Sequence, residues 1–311
     1  MKKIKISIVT ATFNEEKNIK KISNDIAIEM QKLDIDYEHI IIDNNSTDQT
    51  QNVIREICKN NKKIKAIFNL RNFGHTRSPY YAILQTSGDA TILLAADFQD
   101  PIELIPDLIK KWQSGSEVVF LKRKSSKENL IIETLKIIFY KFINIISEVS
   151  LIERTTGSGI FDKNIISELK KIEDPDPYFR GMVSEITSRI DIIEFDQPRR
   201  LFGNSKNNLY TLFDTGVNAI IKHSKIPLRI MTIGGFFLSI ILIFIGIFFF
   251  IYKIIYWNKF QLGLAPIILG VFFGFSILIF MLGMIGEYIG VILKQVRKIS
   301  LVIEKERVNF D

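Results

Sequence analysis

Asp97 and Gln99 put two oxygen-bearing side chains two residues apart, at the point where an apolar run stops. Ala90–Leu94 is that run, entered through Gly88-Asp89 and blocked from continuing by Pro101, the pattern of a central strand in a parallel sheet. Ligands of open α/β sheets bind in the crevice beyond the carboxyl ends of the strands. Carboxylate and amide oxygens in such a crevice suit Mg²⁺ or Mn²⁺, with a substrate phosphate completing the shell. Asp97 and Asp100 have a second reading, as caps of a helix starting near Ile102. The segment taken alone leaves both open.

The elements that would position these residues alternate in type along the first part of the chain. Strand patterns fall at Lys5–Thr10, Glu38–Asp43, Lys65–Asn69, Ala90–Leu94 and Glu117–Leu121, with helix patterns at Glu15–Gln31, Asp48–Asn60, His75–Thr86 and Ile102–Gln113. Repeated βα units predict a mostly parallel sheet covered by helices on both faces. Polar clusters follow three of the strands: Thr12-Phe13-Asn14-Glu15, Asp43-Asn44-Asn45-Ser46 and Asp97–Asp100. Parallel strands bring those ends onto one rim, the geometry of a nucleotide site. G-x-x-x-x-G-K-[ST] and G-x-G-x-x-G are both missing, so P-loop and dinucleotide readings lack their central feature. Gly157-Ser158-Gly159 is too short for either and reads as a flexible turn.

The remainder of the 311 residues has a different character. Ile230 to Tyr252 and Phe260 to Gly286 carry no charge, and each exceeds the roughly 20 residues a helix needs to cross a bilayer. The expectation is a transmembrane hairpin over 229–293, following a domain over 1–228 and leaving a basic tail over 294–311. Lys222, Lys225 and Arg229 precede the first span, and Lys294, Arg297, Lys298, Lys305 and Arg307 follow the second. By the positive-inside tendency both ends stay in the cytoplasm, which predicts a multi-pass protein of the cytoplasmic (inner) membrane. Ile4–Val9 is too short for a signal peptide and is followed by Asn14-Glu15-Glu16 without a small-residue cleavage site. Leu130–Val149 and Asn208–Lys222 are apolar but charge-bearing, and are read as interfacial helices near 130–149 and 208–222. Both fit almost as well as ordinary amphipathic helices on the sheet.

One cysteine, Cys58, excludes an intramolecular disulfide and a cysteine-based zinc site. The net charge of +7 suits anionic headgroups or phosphorylated substrates. A nucleic-acid partner is not expected, since no basic stripe with interleaved aromatics is present. Packing of Gly234-Gly235 or of Gly283 and Gly286 would allow a homo-oligomer in the membrane.

Phe13-Asn14-Glu15-Glu16, Asp43-Asn44-Asn45-Ser46-Thr47-Asp48, Arg71-Asn72-Phe73-Gly74 and Asp97-Phe98-Gln99-Asp100-Pro101, in this order, resemble family-2 glycosyltransferases of the polyprenyl-phosphate (dolichyl-phosphate-mannose-synthase-like) group. Arg123, Phe179-Arg180-Gly181, Arg200 with Gly203-Asn204-Ser205-Lys206, Pro227-Leu228-Arg229 and Gly286-Glu287-Tyr288-Ile289-Gly290 extend the likeness from about Ile6 to Ile292. The resemblance implies a GT-A fold, a divalent cation (Mg²⁺ or Mn²⁺), and inverting transfer of a sugar from a nucleotide-sugar donor to a polyisoprenyl phosphate, undecaprenyl phosphate in the first instance. By that likeness Thr10, Thr12, Asn14, Glu15, Asp43, Asn72 and Asp97 lie on the nucleotide, and Asp97 and Gln99 hold the metal. Arg123, Lys127, Arg200, Ser205 and Lys206 face the acceptor phosphate, with Asp97, Asp100, Arg123, Arg200 and Lys206 at the reacting centre. Asp100 is the residue that would position the acceptor.

The residue types agree with that chemistry. A nucleotide leaves with negative charge on its diphosphate, which a divalent cation and Arg/Lys stabilise in the transition state. An acceptor that is already a phosphate anion needs little deprotonation, unlike a sugar hydroxyl, which needs a general base. The chain departs from the family pattern in four places: Ala95 stands where a carboxylate is usual, Asn44-Asn45 replaces Asp-Gly, Ala11 replaces Pro, and Thr156-Gly157-Ser158-Gly159 replaces an Asp-Phe-Arg segment. A hydroxyl acceptor, or a non-catalytic lipid- or nucleotide-binding partner in which Ala95 marks decay of the site, are the competing functions.

Overall fold

The computed structural model describes residues 4–124, 155–198, 224, 226–256, 264–297 and 299–310. Eight strands form one sheet in the order β7-β5-β6-β4-β1-β2-β3-β8. They are β1 Lys5–Thr12, β2 Asp36–Asp43, β3 Ile64–Asn69, β4 Ala90–Ala95, β5 Val118–Arg123, β6 Thr155–Asp162, β7 Ile190–Phe195 and β8 Glu304–Val308. Ladders β1–β2, β1–β4, β2–β3 and β5–β7 are parallel, while β6 runs antiparallel to both β4 and β5, and β8 antiparallel to β3.

The near-continuous Ile/Val content of β1, β2 and β4 reflects burial on both faces. One face packs against α1 (Ile19–Lys32), α2 (Thr50–Asn60) and α4 (Ile105–Gln113), through Ile22, Ile26, Ile54 and Leu108. The other packs against α3 (Gly74–Leu84), α5 (Lys163–Lys171) and α6 (Phe179–Ile186), through Tyr80, Ile83, Leu169 and Val183. Each expected strand and helix of the first part is present, with shifted ends. β1 runs on to Thr12 because it pairs Thr12 with Asp43 on one side and Ala11 with Ala95 on the other. α1 starts only at Ile19, because the Glu15 carbonyl accepts from Asn18 N and Ile19 N in a turn that follows Asn14 at φ 60°.

Gly157-Ser158-Gly159 is not a turn. It lies inside β6, between β4 and β5, where Gly159 sits at φ 152° and a Cβ would meet the Val119 carbonyl oxygen at 2.1 Å. Only glycine permits that approach.

Two helices follow the α/β part, α7 (Ile226–Ile255) and α8 (Leu264–Val296). Their windows Ile226–Phe248 and Gly270–Val296 have mean hydropathies of 2.6 and 2.1, and neither is buried in the protein. Both are long and apolar enough to cross a membrane. Lys294 near the end of α8 pairs with Asp176 at 3.4 Å, and the Tyr288 hydroxyl donates to the Ser224 carbonyl at 3.2 Å.

Within the stretch read as a basic tail, 294–311, the chain returns to the sheet. β8 joins the outer edge of β3, with Leu70 N donating to the Ile303 carbonyl at 2.8 Å. The Arg55 guanidinium sits over the Phe68 ring and pairs with Glu306 at 2.7 Å. Asn309 donates to the carbonyls of Cys58 and Ile64, both at 2.8 Å. Cys58 is itself buried, which pushes its thiol up to about 11 and makes it an inert core residue. The segments expected as interfacial helices, 130–149 and 208–222, lie outside the described residues.

Candidate active site

The carboxyl ends of β1, β2, β4 and β5 share one rim, together with the start of antiparallel β6. Four of the expected site clusters meet there, and hydrogen bonds tie their loops to one another.

Asp43 ends β2 fully buried. Ser46 donates to it through both its N–H (3.0 Å) and its hydroxyl (2.5 Å), and Gln51 donates through its side-chain amide at 2.8 Å. Thr12 lies beside it, hydroxyl to carboxylate at 3.4 Å. Asn14 N donates to Ser46 Oγ at 2.9 Å and Thr47 N donates to Asn14 Oδ1 at 2.8 Å, so the loops after β1 and β2 interlock. Glu15 N donates to Thr50 Oγ1 at 2.9 Å, and the Glu15 carboxylate accepts from Asn18 at 2.6 Å.

The departure at Asn44-Asn45 has a structural account. Asn45 sits at φ 62°, a left-handed position that Gly favours and Asn tolerates. Asn44 braces the loop after β3: its amide donates to Asn72 Oδ1 at 2.9 Å and to the Gly74 carbonyl at 3.0 Å, and its carbonyl accepts from Phe73 N at 2.8 Å. Asn72 is thereby brought to the rim. Thr10 is not. It lies two residues below the end of β1, fully buried, with its hydroxyl 3.0 Å from His39 Nε2. Burial pushes His39 down to about 3, so this pair is neutral and belongs to the interior. Sequence reading missed His39, since a lone histidine inside an apolar strand carries no local signal.

Asp97 is buried at the rim two residues past β4, and its Oδ1 accepts from Gln99 N at 3.1 Å. Phe98 between them takes φ 58°, a conformation costly for an aromatic residue, so the turn is held by its surroundings. Asp100 supplies much of that hold and is not a helix cap. Pro101, not Asp100, occupies the N-cap of the 3₁₀ turn Ile102–Leu104, and no side chain caps it. The Asp100 carboxylate instead accepts from Ala95 N at 3.0 Å and from Ser158 Oγ at 2.5 Å, stapling the end of β4 to β6. Burial raises its carboxyl above the ordinary range, and the nearby Asp97 charge adds to this; Ser158, Ala95 N and the Arg123 charge pull the other way.

Arg123 ends β5 close enough for its charge to act on Asp100. Arg180, on α6, donates to the Thr155 carbonyl at 2.9 Å and so supports the first residue of β6. Beside the metal-type turn lies a cavity of about 350 Å³, bounded by Lys21, Phe98, Pro101, Asp196 and Pro198. Lys127, Arg200, Ser205 and Lys206 lie outside the described residues.

The donor set available to a cation is small. Among the described residues no group of three or more His, Cys, Asp or Glu is arranged to hold a metal. Ala95 offers no side-chain oxygen and Asp100 Oδ2 is bonded to Ser158, which leaves Asp97 and Gln99 as the candidate protein ligands at this turn. That fits a hard cation that keeps waters and takes its remaining oxygens from a bound phosphate.

The family described as Glycosyl transferase family 2 matches residues 7–183, which span β1 to α6 and every rim residue above. A prophage-derived bactoprenol glucosyl transferase of Shigella flexneri is 28% identical over 296 residues, covering 94% of this chain and 95% of its own. A prophage bactoprenol glucosyl transferase homolog of Escherichia coli K12 is 28% identical over 289 residues, covering 92% and 94%. Among solved structures, mannosyl-3-phosphoglycerate synthase from Rubrobacter xylanophilus superposes with a TM-score of 0.51 at 14% identity, over 74% of this chain and 75% of its own. That likeness concerns the α/β fold alone.

Proposed function

Since the chain belongs to glycosyl transferase family 2, we propose that it transfers a sugar from a nucleotide-sugar donor to a polyisoprenyl phosphate at a membrane face. The observation that carries this reading is a near full-length match to bactoprenol glucosyl transferases, which takes in the catalytic rim and the two apolar helices together. Undecaprenyl phosphate is the acceptor to test and glucose the first sugar.

The roles follow the rim. Thr12, Asn14, Glu15, Asp43 and Asn72 form the nucleoside side, with Asp43 acting through the loop it organises. Asp97 and Gln99 are the residues for Mg²⁺ or Mn²⁺, which when bound supplies charge stabilisation to the departing diphosphate. Arg123 offers its guanidinium to the acceptor phosphate, with Lys127, Arg200, Ser205 and Lys206 as its partners in this role. Asp100 orders the turn that carries Asp97 and Gln99, through an Oδ2 that accepts from both Ser158 Oγ and Ala95 N. The phosphate acceptor attacks without needing a base, and a single displacement inverts the anomeric centre.

The membrane geometry supports the same reading. α7 leaves the catalytic domain and β8, after α8, rejoins its sheet, so both ends of the hairpin lie on the catalytic side. Arg229, Lys294, Arg297 and Arg307 enrich that side in positive charge, which favours the cytoplasm. The hairpin would keep the rim near headgroup level, where a lipid phosphate resides.

The test is the purified full chain in detergent with undecaprenyl phosphate, Mn²⁺ and UDP-glucose, followed by other nucleotide sugars. A lipid-extractable, acid-labile sugar phosphate is the expected product. Sugar appearing only on hydroxyl acceptors, or no lipid-linked product from any common donor, would overturn the reading.

A further inference from the structure

Among the described residues, five side-chain nitrogen or oxygen atoms are shut off from solvent without a hydrogen-bond partner: Ser23 Oγ, His39 Nδ1, Asn69 Oδ1, Arg123 Nε and Gln197 Nε2. Two of these, Arg123 Nε and Gln197 Nε2, can only donate. Both belong to the same corner of the rim.

Arg123 is the last residue of β5 and pairs in register with Phe195, the last residue of the neighbouring parallel strand β7. Lys124 N donates to the Phe195 carbonyl at 3.0 Å, so the two chains stay together past the strand ends. Gln197 follows two residues later. Its neighbours Asp196 and Pro198 line the same cavity as Phe98, Pro101 and Ile102, which follow Asp97 in the chain. Asp196 also pairs with Lys124 at 3.6 Å, a second tie between the two chains past the strand ends. An extended continuation of β7 past Phe195 would put Gln197, two residues on, on the face of the sheet that carries Phe195 and Arg123.

A buried donor without an acceptor costs the full desolvation of its N–H, and native folds rarely keep one. Two at one corner, beside a turn of metal-ligand type, mark a place where an acceptor arrives with a ligand. A guanidinium edge beside a neutral amide suits an oxyanion with several lone pairs. We propose that Gln197 is a second phosphate-binding residue beside Arg123, the two donating to phosphoryl oxygens of one bound group. This rests on the glycosyltransfer reading above. The phosphoryl oxygens come either from the acceptor monophosphate or from the donor diphosphate.

The experiment compares wild type, Gln197→Leu and Gln197→Glu as full chains in detergent. It reads the KM for undecaprenyl phosphate, the Kd for UDP with Mn²⁺, and the ligand-free melting temperature. For an acceptor site, Gln197→Leu raises the lipid-phosphate KM by roughly tenfold or more, with UDP affinity unchanged and kcat less affected. Gln197→Glu raises it further, because a carboxylate faces the phosphate. For a diphosphate site, the UDP Kd carries the change instead. In either case Gln197→Leu melts no lower than wild type without ligand, since it removes an unpaired buried donor. If both constants stay at their wild-type values, or if Gln197→Leu loses stability and binding together, the proposal is wrong. A wild-type chain that binds UDP but never glycosylates lipid phosphate would defeat the functional reading alone, and the UDP arm would still decide on Gln197.

Discussion

The Ser158 hydroxyl donates to the Asp100 carboxylate at 2.5 Å, joining β6 to the turn after β4 across 58 residues of sequence. Two departures from the family pattern meet at this contact. Ser158 lies in the segment that replaces Asp-Phe-Arg, and Ala95, which replaces a carboxylate, offers its backbone N–H to the same Asp100. The turn bearing Asp97 and Gln99 is thus held from both sides without a second metal-type carboxylate at its head.

Ser158→Ala removes one of the two hydrogen bonds that satisfy a buried carboxylate. It should destabilise the fold by about 1–3 kcal/mol and weaken Mn²⁺-dependent nucleotide binding, with Ser158→Thr recovering most of both. Denaturant titration and calorimetric UDP binding check this; unchanged values for the alanine variant would make the contact idle.

Asp97→Asn keeps the volume of the side chain and removes its charge. Folding should be retained while transfer falls by about 10²-fold or more, together with the cation dependence of nucleotide binding. Circular dichroism and a lipid-extraction assay measure the two. Persistence of the wild-type Mn²⁺ response would remove Asp97 from the metal site.

Glu38 is a buried carboxylate at the opposite end of the sheet, bonded by Ser7 at 2.6 Å, by Ser87 N at 2.8 Å and by Lys65 at 2.9 Å. Burial alone would raise its carboxyl, but these partners outweigh it and hold it at about 2, below the ordinary 4.5. Because the folded-state value is the lower one, the stabilisation is complete above pH 4.5 and is lost as pH falls toward 2. Its size is on the order of 3 kcal/mol. Melting curves of wild type and Glu38→Gln should be well separated at pH 7 and converge as pH falls through about 2; a pH-independent gap would exclude this origin.

Gly159→Ala would push a methyl carbon to 2.1 Å from the Val119 carbonyl oxygen and force alanine to φ 152°. The expected cost exceeds about 4 kcal/mol, a large share of the stability of a typical domain. Gly157→Ala, where φ is 86° but nothing lies within 4 Å, should be far milder. Yield and circular dichroism of the pair make the comparison, and equal behaviour would contradict the packing of β6.

How much of this was legible in the sequence depends on whether the signal was local. β1 to β5 announce themselves through apolar runs followed by polar clusters, and the clusters do meet at one rim. β6 was hidden because Gly157 and Gly159 look like turn residues, whereas Gly159 is there for a close crossing of strands that no local pattern encodes. β8, with Glu304-Lys305-Glu306-Arg307, reads as a solvated tail; it is a strand only because β3 lacks an outer neighbour. Asp100 before a proline suggested a helix cap, and only Ser158, distant in sequence, shows what it binds. Thr10 was placed on the nucleotide by the family likeness, but the fold buries it within β1 with its hydroxyl beside His39.

The return of the chain to β3 also orders events in time. β3 presents Ile64, Ala66, Ile67 and Phe68 along a sheet edge, and its covering strand is synthesised only after both apolar helices. A nascent chain would carry this edge unpaired throughout that interval, a state prone to wrong pairing. Prompt insertion of α7 and α8 into a bilayer would shorten the exposure by delivering β8 back to the same side. The alternating charges of β8 would then close the sheet with an edge that discourages further strands.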